Sequence, residues 1–271
     1  MSSARAAAAR APDKHPERIA GMFDRIARRY DLLNHLLSGG LDVYWRARAI
    51  RALGLTGRER VLDVCAGTAD VMIAALRADG RGARYAVGVD FAHQMLRIGH
   101  RKLAASALSA RATLVRGDAM GLPIASGTVE AATVAFGIRN VVAPGEALVD
   151  ISRCLRPGGQ IAVLEFAMPT APLMRSLYSW YFRQVLPRVG ALVSRHDEAY
   201  RYLPESVGAF HPPGEFRQLL ADSGFVDVRS VPLTFGIVYL YVARKATVAV
   251  PPVPETAAGT SGQATLPASP L

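Results

Sequence analysis

Two cysteines, Cys65 and Cys154, are all that 271 residues contain. They stand in unrelated contexts with no metal-type neighbours, which excludes a disulfide framework and gives no sign of a zinc or other metal site. No run of 18 or more apolar residues is free of charged or turn residues, so no membrane-spanning helix is expected. No block of Lys or Arg exceeds two residues, and no nucleic-acid motif accompanies the basic charge. Nucleic acid therefore ranks below an anionic membrane surface as its partner. The opening MSSARAAAAR is basic but has no apolar segment of the secretory kind, and Asp13 and Glu17 argue against a transit peptide. A cytoplasmic protein in a reducing compartment is the expectation.

What the chain does have is material for a core. Hydrophobic residues make up 51% and charged residues 20%, and 32 basic side chains against 22 acidic ones leave a net charge of +10. Residues 1–15 and 246–271 read as flexible tails, since their Ala, Pro, Ser and Thr content cannot bury enough apolar surface to offset ordering entropy. Between them lies one domain, 16–245. Short β-rich runs, RVLDV (60–64), YAVGVD (85–90), ATLVR (112–116), VEAATVAF (129–136) and IAVLEF (161–166), alternate with helical patterns, which implies a doubly wound, mostly parallel α/β sheet. The runs 225–233 and 237–245 are too close for anything but an antiparallel hairpin. LRPGG (155–159) reads as a helix stop and turn before the fifth strand.

Two segments break the βα rhythm: a helical cap, 16–53, and an insertion, 170–222. In the insertion Leu173, Leu177, Trp180, Tyr181, Val185, Val189 and Leu192 recur at helical spacing, with Pro187 a break. That stripe either packs on the sheet or forms a lid over an apolar substrate.

The first strand runs into Cys65-Ala66-Gly67-Thr68-Ala69-Asp70 and then a helix, the place where a doubly wound sheet binds its ligand. Asp90 ends the next strand 23 residues beyond Gly67, the position of a carboxylate that accepts hydrogen bonds from ribose hydroxyls. A pyrophosphate loop needs several glycines; here Gly67 is alone, with acidic Asp63 and Asp70 on either side. A cationic cofactor without phosphate suits the acids better, and S-adenosylmethionine is one. Asp118 and Ala119, after the third strand, stand where a carboxylate reaches an adenine amino group. Each Asp taken singly is more often a cap or turn residue, but four polar strand ends in succession argue against coincidence.

The blocks MFDRIARRYDLLNHLLSGGLDVYW (22–45), VLDVCAGTAD, FGIRNV, LRPGG, LEF, VLPRVG and YRYLPES (200–206) resemble the menaquinone/ubiquinone biosynthesis C-methyltransferase family over about residues 16–245. The resemblance implies the class I methyltransferase (Rossmann-like) fold, a seven-stranded sheet, and methyl transfer from S-adenosylmethionine to a ring carbon of a polyprenylated quinol. It implies cofactor contacts at Thr68, Asp90, Asp118 and Ala119, to which the acid-flanked turn adds Asp63 and Gly67. The Cys/Ala version of the loop leans toward demethylmenaquinol as acceptor, with a benzoquinol the alternative. Asp42-Val43-Tyr44 stands where a histidine is common before Trp45, and Ala135 replaces a serine seen in some members.

Carbon methylation needs an ortho phenolic hydroxyl to lose its proton while the ring carbon lies in line with the S-methyl bond. Arg139 is the expected stabiliser of the phenolate, since a guanidinium cannot be the base. Asn140 is expected to orient a quinol oxygen, and Tyr30, Asp31 or His35 to take the proton, His35 having the most suitable ordinary pKa. Each has a structural alternative: Arg139 as an ion-pair partner, Tyr30 as a core tyrosine, His35 as a surface or capping residue. His196, Asp197, Tyr200, Arg201 and Tyr202 are expected around the quinol pocket. Arg175, Arg183 and Arg188 beside the apolar stripe suggest peripheral docking on anionic lipid. A homodimer is the remaining expected partner. A silent S-adenosylmethionine-binding scaffold and a nicotinamide-dependent reductase are the rival readings.

Overall fold

The computed structural model describes residues 14–78, 81–185 and 197–247. Seven strands form one sheet: β1 (Arg60–Val64), β2 (Tyr85–Asp90), β3 (Ala112–Arg116), β4 (Val129–Ala135), β5 (Leu155–Phe166), β6 (Phe225–Leu233) and β7 (Val238–Lys245). Their order is β3-β2-β1-β4-β5-β7-β6. The first five pair in parallel, and β7 runs antiparallel to both β5 and β6. The order reverses between β1 and β4, so the carboxyl ends of these two strands open the crevice in which such sheets bind ligands. This is the class I methyltransferase arrangement expected from the sequence.

Helices cover both faces, which is why the central strands read as unbroken apolar runs. α2 (Leu41–Ala52), α3 (Asp70–Arg77) and α4 (His93–Ala105) lie on one side, where Trp45, Ile50, Met72, Leu96 and Val61 share a core. α5 (Pro144–Cys154) and α8 (Pro213–Asp222) lie on the other, where Leu148, Ile151, Phe216 and Leu220 pack with Leu62 and Val64. Val61 and Leu62 thus point to opposite cores, as the period of a strand requires. Each such fully buried aliphatic side chain contributes about 1.5–3 kcal/mol of transfer free energy.

α1 (Pro16–Leu37) and α2 precede the first strand as the expected cap. α1 lies along α4, with Ala27 against Ala92 and Met95. α6 (Pro172–Trp180) continues into a π-helical turn, Tyr181–Val185, and α7 (Asp197–Gly208) follows. Residues 186–196, which include Pro187, Val189, Leu192 and His196 of the expected stripe and pocket, lie outside the described residues, as do 1–13 and 248–271 of the expected tails. Among the described residues no helix is long and apolar enough to cross a membrane.

Two sequence expectations change. α5 does stop at Cys154, but Leu155 already pairs with Val129, and pairing resumes at Ala131 with Gln160. Residues 156–159 are therefore an excursion inside β5, with Gly158 in the left-handed region at φ +76. In the described part of the apolar stripe Leu173, Leu177 and Trp180 do not pack on the sheet: they are 82%, 53% and 55% exposed.

Candidate functional site

Two cavities border the segment that follows β4, at the carboxyl end of the sheet. The smaller, about 40 Å³, is lined by Cys65, Asp90, Asp118, Ala119 and Asn140. Lys14 and Pro16 line it too, and the Lys14 ammonium donates to the Val141 carbonyl at 3.4 Å. The larger, about 430 Å³, is bounded by Tyr30 and Leu33 from the cap, Phe136 and Arg139 after β4, Phe166 at the end of β5, and Tyr178 and Tyr202 from the insertion. Arg139 and Asn140 are adjacent in sequence, yet one borders each cavity.

The turn after β1 owes its shape to three left-handed residues, Cys65 (φ 57), Gly67 (φ 52) and Ala69 (φ 67). Only one of the three is glycine, so the loop carries steric strain of about 1–2 kcal/mol at each of the other two. A Cβ on Gly67 would meet nothing within 4 Å, so the loop faces open space there. Gly137 is different: a Cβ would stand 2.3 Å from the Cys65 Cβ, so the β4 and β1 loops touch only because that residue is glycine.

Asp90 organises the smaller cavity. Its Oδ2 accepts the Gly67 N–H and its Oδ1 the Ala92 N–H, both at 2.8 Å. Burial, assisted by the charge of Asp24, pushes its pKa up to about 6. Asp118 Oδ1 accepts the Met120 N–H at 2.9 Å. Carboxylate oxygens so held keep lone pairs for ribose hydroxyls and an adenine amino group, and of the residues lining this cavity Lys14 is the one cation. The donor set thus fits a cationic nucleoside and not a pyrophosphate.

Asp63 lines neither cavity. It is 1% exposed, with Oδ1 accepting from the Thr133 hydroxyl at 2.7 Å and Oδ2 buried without a partner. Burial drives its pKa to about 7. It supports the loop from beneath. Thr68 is also buried, and its hydroxyl donates to Asp31 Oδ1 at 2.5 Å, away from the cleft. Asp70, read from the sequence as one of two acids repelling phosphate, is already neutralised by Lys102 and by Arg46, the latter at 3.2 Å.

Arg139 is 6% exposed. Its Nη1 donates to Glu165 Oε1 at 2.6 Å and to the Phe136 carbonyl at 2.5 Å, and its Nε donates to the Ser206 hydroxyl at 3.3 Å. The Glu165 side chain is fully buried, and the guanidinium lies 5.4 Å from the Phe166 ring centroid. Burial works against the guanidinium charge, but Glu165 and the phenols of Tyr30 and Tyr202 more than compensate and raise its pKa. Arg139 is thus both an ion-pair partner and a fixed positive charge on the cavity wall. Burial likewise raises the Tyr30 phenol, against the pull of its hydrogen bond with Asn34 and of the Arg139 charge, so at neutral pH it is a hydrogen-bond donor. Phe136 and Phe166, centroids 4.6 Å apart, and Trp45 behind them complete an aromatic wall.

The remaining sequence candidates divide. Asn140 is buried with its Oδ1 accepting from the Tyr202 hydroxyl at 3.1 Å, and it borders the small cavity instead of the quinol-sized one. His35 is not brought to either cavity: its side chain is 61% exposed, and Nδ1 meets Asp42 Oδ1 at 3.1 Å across the α1–α2 junction. The side chains of Arg183, Asp197, Tyr200 and Arg201, and all of Arg188, lie outside the described residues. Glu165 and Ser206 were missed as partners of Arg139. The blocks LEF and YRYLPES contained them, but nothing in a sequence says which cation a carboxylate will meet.

A model of the ubiE/COQ5 methyltransferase family matches residues 12–245. A ubiquinone/menaquinone biosynthesis C-methyltransferase of Syntrophotalea carbinolica is 50% identical over 220 residues, 81% of this chain and 91% of that one. A demethylmenaquinone methyltransferase of Thermus thermophilus is 43% identical over 224 residues, 83% and 100%. Among solved structures, the cyclase SpnF has a TM-score of 0.61 at 16% identity, covering 86% of this chain and 96% of that one. Phosphoethanolamine N-methyltransferase 2 of Haemonchus contortus, solved with S-adenosyl-L-methionine, has a TM-score of 0.56 at 14% identity, covering 75% and 52%. These structural likenesses speak for the fold; a cyclase among them shows how little the fold alone says about the reaction.

Proposed function

The chain belongs to the ubiE/COQ5 methyltransferase family, and from that membership we propose that its acceptor is a polyprenylated demethylmenaquinol, converted to menaquinol. It is an S-adenosylmethionine-dependent C-methyltransferase of quinone biosynthesis. The observation that carries the site assignment is the adjacency of Arg139 and Asn140, one bordering a cavity of about 430 Å³ with aromatic walls and the other a cleft lined by Asp90 and Asp118. A donor and an acceptor held on the two sides of this segment are a single residue apart.

Asp90, Asp118 and the Ala119 backbone hold the nucleoside half of the donor, and the Gly67 turn gives it room. When bound, the donor supplies an electrophilic methyl group on a sulfonium. The aromatic wall of Phe136 and Phe166 positions the quinol ring, and Arg139 stabilises the oxyanion that forms as the ortho hydroxyl gives up its proton. A fixed charge of this kind in a water-poor cavity is worth about 10²–10³ in rate. Tyr30 donates a second hydrogen bond to the same oxygen. Asn140, held by Tyr202, keeps Arg139 and the donor cleft in register.

The isoprenoid tail leaves by the mouth of the cavity, between the end of α1 and α6, where the Tyr181 hydroxyl donates to the Leu37 carbonyl at 2.9 Å. The rim is apolar and exposed: Leu36, Leu41, Leu177, Trp180 and Phe235, with exposed Arg175 nearby. Such a rim collects an insoluble substrate from the inner face of an anionic membrane, so the enzyme works in the cytoplasm and docks at the bilayer. Mass spectrometry of quinones from cells lacking the protein tests the acceptor: accumulated demethylmenaquinone is expected, and a demethylated benzoquinone would reassign it.

A further inference from the structure

Four helices and the donor loop meet at one ionic cluster, of which Asp42 and Arg46 line the larger cavity and Lys102, Asp31, Thr68 and Asp70 line neither. The Lys102 ammonium, projecting from α4, donates to Asp31 Oδ2 of α1 at 3.0 Å, to the Thr68 hydroxyl of the donor loop at 3.3 Å, and to Asp70 at the start of α3. Thr68 in turn donates to Asp31, and Arg46 of α2 bridges Asp70 at 3.2 Å and Asp42 at 2.6 Å. Asp31 is the residue after Tyr30, and Tyr30 borders the large cavity within electrostatic reach of Arg139.

We propose that Lys102 is a positioning residue, a latch that fixes the cap helix to the donor loop and so sets the alignment of the donor methyl with the acceptor carbon. The inference rests on the methyltransferase reading above. Its physical basis is that α1 is held to α4 at three heights. In its first half the Gln94 N–H donates to Asp24 Oδ1 at 2.7 Å; about one turn on, Ala27 packs on Met95; about one turn further the contact is Asp31 with Lys102. Each of the three lies one residue from a side chain that lines the large cavity, Phe23, Ile26 and Tyr30, but only the third also reaches the donor loop, through the Thr68 hydroxyl. Without the ammonium, Asp31 and Asp70 face each other with Arg46 bound to Asp70 alone, so Asp31 loses its cation and is repelled by what remains of the Asp70 charge, which moves this part of α1 off the loop. The loop itself stays in place, since Gly67 is held by Asp90 and the Ala66 N–H by the Val89 carbonyl at 3.1 Å. Acceptor alignment is lost while the donor site survives, and a misplacement of about 1 Å costs about 10²-fold in rate.

The test is single-turnover methyl transfer with donor and demethylmenaquinol both saturating, beside calorimetric donor affinity, for wild type, Lys102→Met, Asp31→Asn and the double variant. Lys102→Met is expected to slow the transfer step at least tenfold with full amplitude and a donor Kd within threefold of wild type. Asp31→Asn keeps an acceptor for Thr68 and removes the repulsion, so the double variant recovers most of that loss. A wild-type rate in Lys102→Met overturns the latch, and so does a loss of donor affinity with normal transfer once bound. Reduced amplitude at an unchanged rate, the mark of a merely unstable fold, overturns it too. If Lys102→Met gives no soluble protein, Asp31→Asn alone decides: a several-fold slower transfer at unchanged donor Kd supports the latch, and a wild-type rate refutes it. A wild type that binds donor but methylates nothing refutes the methyltransferase reading instead.

Discussion

Arg139→Met removes a cation whose partner, Glu165, has a fully buried side chain. Deleting one member of a buried pair costs about 3–5 kcal/mol, because the other charge is left in a medium that cannot solvate it. For a domain of this size each kcal/mol moves the melting temperature by about 2–4 °C, so a fall of about 6–20 °C is expected by circular dichroism. Turnover falls for a separate reason, the loss of the oxyanion partner, by about 10²–10³-fold. The two effects separate in Arg139→Met/Glu165→Gln. With both charges gone the double variant regains at least half of the lost stability, yet turnover stays down and donor affinity stays near wild type. Recovery of turnover along with stability would refute the reasoning, since Arg139 would then be a structural ion-pair partner and nothing more.

Asp90→Asn withdraws a charged acceptor from the Gly67 N–H and from the donor, and donor affinity by calorimetry should fall at least tenfold; an unchanged Kd would remove Asp90 from the site. Burial lifts Asp63 to about 7, so from about pH 4 to 7 the folded chain holds a proton that the unfolded chain has released. Stability therefore declines as pH rises through that window, by roughly 2 kcal/mol between pH 5.5 and 8, and Asp63→Asn flattens that slope in urea unfolding. An identical slope in the variant would contradict the assignment. Leu36→Glu/Phe235→Glu should abolish co-sedimentation with anionic vesicles at low salt while leaving turnover of a short-chain acceptor within about twofold; unaltered sedimentation would count against docking through this rim.

What was legible in the sequence is what local pattern dictates. Strand runs of apolar residues and their short links pointed to the parallel sheet and its closing hairpin, and three strand ends pointed to residues that line the two cavities: Asp90, Asp118 and Arg139. Partnerships across the fold were not legible. Asp70 looked like a free acid beside the cofactor, and only the approach of α4 and α2 shows it paired with Lys102 and Arg46. His35 had the right chemistry in the right block, but helical periodicity turns it toward Asp42 and solvent, while Tyr30, Leu33 and Asn34 face the cavity. Asn140 and Arg139 read as one unit, yet the 3-10 turn Ile138–Asn140 sends adjacent side chains to opposite cavities.

The reaction assigned to this enzyme is transfer of a methyl group to carbon. Incubating the purified chain with S-adenosylmethionine labelled in its methyl group and with demethylmenaquinol, then locating the label in the product by mass spectrometry and NMR, measures that step itself. The label is predicted on the ring carbon ortho to a hydroxyl. Label on a quinol oxygen, or no label while the donor demonstrably binds, would contradict the assignment of Arg139 and its cavity to this reaction.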